Sequence, residues 1–585
     1  MKRQPFAKLP FALRLLVLTA TSAPSTIALA QAATPAVKRP NILLIVADDL
    51  GYSDLGAFGS EIQTPRLDAL ARHGRVLRNF YAAPTCSPTR SILLSGTDNH
   101  LAGLGSMAEE LAPEQEGKPG YEGYLDARVA PLPALLQDAG YRTYQAGKWH
   151  LGGDPAHRPN ARGFQHSFAL VQGGASHFKQ QVGALFPGAP QPIYLEDDAA
   201  VSIPDSFFSS TAYTNKLIQY IDAERGSDKP FFGYLTYTAP HWPIQAPDAN
   251  LARVRGRYDA GYEAIAEQRF ARQKRLGLAA PDAPRPPLPP GIRPWAALNA
   301  AERARSARTF EAYAAAIEAL DENVGRVIDY LKSSGQFDNT FIFFLADNGA
   351  EGNDISLSAE PGGTEAFQDW LAANFDNRLE NIGHRNSYTW IGEAWGQTSA
   401  LPNRLYKGNV TEGGIRTPAF VHFPKHIAAG ATSATITARD VLPTLLELAG
   451  TRHPGLVFRG APVLPVQGNS ILPHLTGEES TVHNADYAFG TELFGRSALR
   501  KGDWKIVRLY APVGDGAWQL FNLADDPGEL VDLVKLQPRS LELRAQTAAK
   551  LVELQREWRQ YVNQNNVIEL GYDNGYGYGP LDTTP

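Results

Sequence analysis

Asn41-Ile42-Leu43-Leu44-Ile45-Val46-Ala47-Asp48-Asp49 is the stretch whose reading decides the fold. A near-continuous apolar run without polar alternation marks a strand buried on both faces, as in a parallel sheet covered by helices. It stops at two adjacent carboxylates, which are costly beyond a buried strand unless something positive faces them. The same grammar returns about 300 residues later, where Phe341-Ile342-Phe343-Phe344-Leu345-Ala346 ends at Asp347-Asn348-Gly349. In an open α/β sheet parallel strands end on one edge, and ligands bind there. Two acidic strand ends from distant parts of the chain can therefore converge on one site. The ordinary alternative for either alone is a helix N-cap beside a solvated neighbour. Asp48, Asp49, Asp347 and Asn348 offer only oxygen ligands, which suits Ca²⁺ or Mg²⁺ far better than zinc.

Further strands lie between these two. Tyr141–Gly147 leads into Lys148-Trp149-His150, and Phe231–Tyr237 runs into Ala239-Pro240-His241. Residues i and i+2 of an extended segment point the same way, so Lys148 and His150 are expected to face one side together. A histidine just past a strand is more often structural than catalytic; two of them near one sheet edge strengthen the functional reading. Leu132–Ala139, Tyr213–Ile221 and Ala300–Leu331 have helical apolar spacing, and the alternation of strand and helix predicts an α/β domain with helices on both faces. Pro281–Pro294 reads as a stiff surface loop. Glu351–Leu401 reads as a long insertion with little periodicity, of the kind that shapes access to a site. Lys407 sits in the turn-rich run Lys407–Pro418 ahead of the strand Ala419–Phe423 and alone would pass as a surface residue. Asp440–Leu446 starts another amphipathic helix. Beyond about residue 470 the character changes. Trp504–Val507 and Trp518–Phe521 read as neighbouring antiparallel strands and Leu541–Tyr561 as a terminal helix, together a small α+β lobe.

The only cysteine among the 585 residues lies in Pro84-Thr85-Cys86-Ser87-Pro88-Thr89-Arg90. Ser91–Gly96 reads as a short apolar helix ending at glycine, with Cys86 at its N-terminus and Pro88 in the first turn, where its missing N–H is harmless. Arg90, four positions on, shares a face with Cys86, and the unpaired N–H groups at that end favour an anion. The bland reading is a buried free thiol.

Hydrophobic residues at 43% and charged residues at 20% describe an ordinary globular protein, and a net charge of -6 leaves no basic footprint for nucleic acid. One cysteine excludes an intrachain disulfide and any multi-cysteine metal site. Lys2, Arg3 and Lys8, then Leu15–Leu18, then Ala28-Leu29-Ala30 outline a secretory signal peptide. Its apolar run is too short to span a membrane, and stable membrane association is not expected. The expected organisation is a signal peptide over 1–30, a catalytic domain over 31–470 and a C-terminal α+β subdomain over 471–585, in a periplasmic or secreted protein.

Taken together these residues resemble the type I sulfatases. Cys86-Ser87-Pro88-Thr89-Arg90 matches their C-x-P-x-R signature, joined in order by Asp48-Asp49, Gly147-Lys148-Trp149-His150, Pro240-His241, Asp347-Asn348-Gly349, Lys407-Gly408 and Glu412-Gly413-Gly414. Leu520–Leu523 and Asp526–Glu529 resemble the family's C-terminal lobe. The chain looks most like the bacterial arylsulfatases of the alkaline-phosphatase-like superfamily. That resemblance implies a large mixed, mostly parallel sheet sandwiched by helices, with a smaller C-terminal lobe carrying an antiparallel sheet.

The resemblance further implies that a maturation enzyme oxidises Cys86 to Cα-formylglycine, whose hydrate is the nucleophile. It implies one Ca²⁺ (Mg²⁺ as the lesser choice) held by Asp48, Asp49, Asp347 and Asn348 with an oxygen of residue 86. Arg90 and the metal would lower the hydrate's pKa, and Asp347 would take its proton. Lys148 and Lys407 would neutralise sulfate oxygens, the largest expected catalytic contribution. His241 with Lys407 would protonate the leaving alcohol or phenol, and His150 would take the second hydrate proton as sulfate departs from a covalent sulfoenzyme. Lys148, His241 and Lys407 are thus also the substrate-binding residues. The expected substrate is a small sulfate ester, an aryl sulfate first. The alternatives are a phosphonate or phosphate monoester hydrolase on the same fold, an alkyl or carbohydrate sulfatase, and an inactive binder of sulfated ligands. Segments 99–125, 165–200 and 355–405 are expected to build the pocket wall around the leaving group.

Overall fold

Leu43, Ile45 and Ala47 belong to one hydrophobic core and Ile42, Leu44 and Val46 to another. That is why the run carries no polar alternation: both faces of this strand are covered. In the computed structural model, which describes residues 39–180, 182–356, 363–536 and 540–576, the segment read as a signal peptide lies outside the described residues. In chain order the strands are β1 (Asn41–Ala47), β2 (Arg75–Tyr81), β3 (Arg142–Lys148), β4 (His166–Leu170), β5 (Tyr194–Glu196), β6 (Ala199–Ala200), β7 (Phe231–Thr236), β8 (Thr340–Ala346), β9 (Ala419–His422) and β10 (Gly430–Thr437). They form one ten-stranded sheet in the order β10-β2-β9-β8-β1-β7-β3-β4-β5-β6. β1 pairs in parallel with β7 and β8, as do β3 with β7 and β4, and β10 with β2; β9 and β5 run antiparallel to their neighbours. The sheet is mixed and mostly parallel.

The long helix Ala300–Ser333 covers one face through Phe310, Ile317, Leu320 and Val324, and a capping box between Asn299 and Glu302 starts it. The helices Cys86–Ser95, Leu132–Asp138 and Val441–Leu448 cover the other. The segment read as an aperiodic insertion, Glu351–Leu401, holds two helices, Gly363–Asn374 and Glu393–Ala400. Phe367, Leu371 and Trp395 fix these helices to the core, so tertiary burial supplies the order that the local pattern does not advertise.

Two short strands, β11 (Val457–Phe458) and β12 (Ala461–Pro462), precede a four-stranded antiparallel meander of β13 (Ala488–Leu493), β14 (Arg496–Lys501), β15 (Trp504–Arg508) and β16 (Trp518–Asn522). The terminal helix Leu541–Asn565 packs Leu554, Trp558 and Tyr561 onto Leu499, Ile506 and Leu520 of that sheet. No described helix is long and apolar enough to cross a membrane.

Candidate active site

The parallel strands deliver the residues picked out by sequence to one edge. Asp48 and Asp49 follow β1, Asp347 and Asn348 follow β8, Lys148 ends β3, and His241 follows β7. Cys86 opens the helix that follows β2, and Gly96 ends that helix at φ 65. Lys407 reaches the same edge from the opposite logic: β9 is antiparallel to β8, so the loop entering β9 lies where its neighbours end. Glycines let that loop close on the β8 turn. A Cβ on Gly349 would lie 2.0 Å from the Gly413 carbonyl oxygen, and one on Gly414 1.9 Å from that of Asn409. Glu412 of the same turn serves the C-terminal lobe: its carboxylate pairs with Lys505 at 2.9 Å, and its N–H donates to Glu529.

The side chains interlock as buried ion pairs. Lys148 Nζ donates to both oxygens of Asp48 at 2.9 and 2.8 Å, and Lys407 Nζ lies 2.9 Å from Asp49 Oδ1 and 3.0 Å from Glu351. Arg90 donates twice to Asp347 Oδ2, at 3.0 and 2.7 Å, and once to the Lys148 carbonyl. Asn348 Nδ2 donates to Asp49 Oδ1 at 2.7 Å. Cys86 Sγ lies 3.3 Å from Asp48 and 3.8 Å from Asp49. Asp49 adopts a left-handed φ of 60°, a strained backbone of the kind held at functional sites. His241 donates from Nδ1 to the Trp242 carbonyl, leaving Nε2 3.6 Å from Asp49.

Burial and charge compete at every group. Burial works to raise the pKa of Asp49, and Lys407, His241 and Lys148 outweigh it, holding the carboxyl at about 2. For Asp347, burial and the nearby Asp48 win over Arg90 and push it up. Burial pushes the Cys86 thiol far above its ordinary value and His241 far below. The unmodified thiol is thus a poor nucleophile here. Lys148 and Lys407, against the pull of burial, are raised by Asp48 and Asp49 and remain ammonium groups.

The oxygen donors at this edge fit a hard divalent cation. Ligand atoms of Asp48, Asp49, Cys86 and His241 all lie within 4.8 Å of one another. Asn348 Oδ1 is buried without a hydrogen-bond partner among the described residues, and an orphaned carboxamide oxygen beside carboxylates is what an oxygen-seeking ion would use.

His150 departs from the expected alternation. β3 ends at Lys148, and His150 turns into a left-handed φ of 58°. Lys148 is wholly buried on Asp48, while His150 lines a cavity of about 270 Å³ with Cys86, His241 and Lys407. The cavity wall comes from the three segments expected to build it: Met107, Glu109 and Glu110; Gln172 to Pro192, with Leu185 and Phe186; and Ile355. Trp242 and Tyr576 complete it. Sequence reasoning missed Glu109, Glu110, Glu351 and Tyr576. Glu351, four residues past Asp347, could have been suspected from proximity. Tyr576 donates to Glu351 at 2.8 Å from the far end of the chain, and no local signal marks it.

A family model described as Sulfatase matches residues 40–451. The chain belongs to the sulfatase family. A second model, the C-terminal region of N-sulphoglucosamine sulphohydrolase, matches residues 405–557 of this sulfatase. An uncharacterized sulfatase of Schizosaccharomyces pombe is 44% identical over 91% of this chain and 95% of its own. An arylsulfatase of Klebsiella aerogenes is 38% identical over 74% of this chain and 91% of its own. Among solved structures, Ps i-CgsB in complex with k-i-k-neocarrahexaose aligns with a TM-score of 0.61 and 25% identity, covering 92% of this chain and 95% of that one. The sulfatase is therefore a sulfuric ester hydrolase of the alkaline-phosphatase-like superfamily.

Proposed function

We propose that this sulfatase hydrolyses aryl sulfate monoesters to a phenol and inorganic sulfate through a covalent sulfo-formylglycine at residue 86. When present, formylglycine and Ca²⁺ supply a hydrated aldehyde as nucleophile and a Lewis acid for sulfuryl transfer. Asp48, Asp49, Asp347 and Asn348 are the residues that would hold the cation. Arg90 fixes Asp347 by two hydrogen bonds, leaving that carboxylate oriented to take a proton from the nucleophile. Lys148 and Lys407 provide fixed positive charge where sulfate oxygens gain charge in the transition state. Lys407, an ammonium at neutral pH, delivers the proton to the departing oxygen beside His241, whose neutral ring leaves Nε2 as an acceptor, and His150 takes the proton released in the second half of the reaction.

One observation carries the preference for sulfate. Four buried carboxylates (Asp48, Asp49, Asp347 and Glu351) face three buried cations (Arg90, Lys148 and Lys407), leaving one net negative charge. A divalent cation together with a singly charged sulfate ester neutralises these seven groups, and the Glu109 carboxylate on the same cavity wall adds to the negative side. A dianionic phosphate monoester would leave an uncompensated charge in a buried site, which is costly. Leu185, Phe186, Trp242 and Ile355 in the cavity wall support an apolar ring on the leaving-group side. The test compares kcat/KM for an aryl sulfate and the aryl phosphate of the same phenol, on protein whose residue-86 aldehyde has been counted by peptide mass. A large preference for sulfate is expected. Equal or faster phosphate turnover at high aldehyde content would overturn the reading in favour of the phosphate or phosphonate branch of the fold.

A further inference from the structure

Glu109 lies in a single 3-10 turn, Ala108–Glu110, within a long loop, and its Oε1 sits 2.9 Å from His150 Nε2. An ionised carboxylate can only accept hydrogen bonds, so the proton between them belongs to Nε2. The carboxyl is ionised at neutral pH: its side chain is about half exposed to solvent, and accepting a hydrogen bond from His150 favours the charged form. The other ring nitrogen, Nδ1, is buried and has no hydrogen-bond partner among the described residues. Two further features fix the imidazole. The backbone turns left-handed at His150 itself. Gly173 lies directly against the ring, where a Cβ would come within 2.5 to 3.0 Å of Cε1, Nε2 and Nδ1. Both Glu109 and His150 line the cavity that holds Cys86.

We propose that Glu109 is a positioning residue that locks His150 with its proton on Nε2 and its lone pair on Nδ1, making the buried nitrogen the base. The inference rests on the reaction proposed above, in which His150 accepts a proton from residue 86. That proton passes from an oxygen of the residue-86 group to Nδ1, and the imidazolium so formed is neutralised by the Glu109 carboxylate until the proton returns to water. A histidine whose tautomer is set by a carboxylate behind it is the arrangement that keeps a general base in its basic form.

The tautomer is read directly by long-range proton–nitrogen NMR on Cys86→Ala protein, which carries no aldehyde and turns nothing over, with the His150 signals assigned by their loss in His150→Gln. The expected result is a single tautomer protonated on Nε2, kept in Glu109→Gln, whose amide oxygen can still accept, and lost to a mixture in Glu109→Ala. On aldehyde-bearing enzyme, Glu109→Ala should release the first equivalent of phenol at the native rate and then turn over on the order of 10- to 100-fold more slowly, with Glu109→Gln recovering most of the loss. His150 protonated on Nδ1 with Glu109 in place, or native steady-state turnover in Glu109→Ala, overturns the proposal. Because the NMR experiment needs no substrate, it decides the Glu109–His150 arrangement even if the protein hydrolyses neither sulfate nor phosphate esters, an outcome that would sink only the proposed reaction.

Discussion

Two clusters of buried charge in this sulfatase are built to different ends. At the sheet edge, Asp48, Asp49, Asp347 and Glu351 meet Arg90, Lys148 and Lys407. Where the C-terminal meander meets the main sheet, His100 lies between Asp98, at 2.7 Å, and Glu492 of β13, at 3.3 Å. Arg439 and Tyr561 both donate to Asp98, the latter at 2.8 Å. None of the polar side-chain atoms in this second cluster is orphaned, whereas Asn348 Oδ1 and His150 Nδ1 beside the first are. A cavity opens on the first cluster at Cys86, His241 and Lys407. Burying charge is expensive in both places. The satisfied cluster offsets that cost internally and acts as a clamp between lobes; the unsatisfied one retains donors and charge that only a ligand can complete.

This contrast can be broken in three ways, the largest effect first. Removing divalent metal with a chelator should take sulfate-ester hydrolysis to background, and Ca²⁺ should restore it better than Zn²⁺. Full recovery on Zn²⁺ alone would show that the oxygen-rich donor set was misread. Asp98→Asn should leave His100 and Arg439 short of their counter-charge and cost about 3–5 kcal/mol of unfolding free energy in a denaturant titration. Turnover per folded molecule should stay unchanged; a matching loss of kcat would erase the division between clamp and site. The smallest effect is in pH. Burial alone would lower the pKa of His100, but Asp98 and Glu492 lift it from 6.5 to about 9. A folded value above the unfolded one gives stability that is complete below pH 6.5 and lost as pH rises through 9, up to about 3 kcal/mol. Tm measured across that range should fall more steeply in the native protein than in His100→Gln, and parallel curves would remove His100 as the source.

The site cluster was far more legible in the sequence than the clamp. Asp48, Asp49, Asp347 and Asn348 stand at abrupt ends of apolar runs, and a carboxylate there is conspicuous because burial of the strand makes it costly. Cys86 and Arg90 sit at helical spacing behind a proline. Lys407 was legible only through its company in the family pattern, since no apolar run ends at it. Asp98, His100 and Glu492 carry no such mark. Asp98 and His100 lie in a turn-rich stretch that any solvated loop could share, and their partner is 392 positions away from His100.

The sequence by itself determined the buried strands β1, β3, β7, β8 and β9, the edge at which polar ends gather, and the residue types available there. Strand burial and helix spacing are periodic, so they can be read along the chain. Only the tertiary structure decided which lysine neutralises which aspartate, that His150 leaves the strand and is held by Glu109, and that Tyr576 returns to the site from the far end of the chain. Those pairings depend on distances between separate elements after packing, and local periodicity carries no information about them.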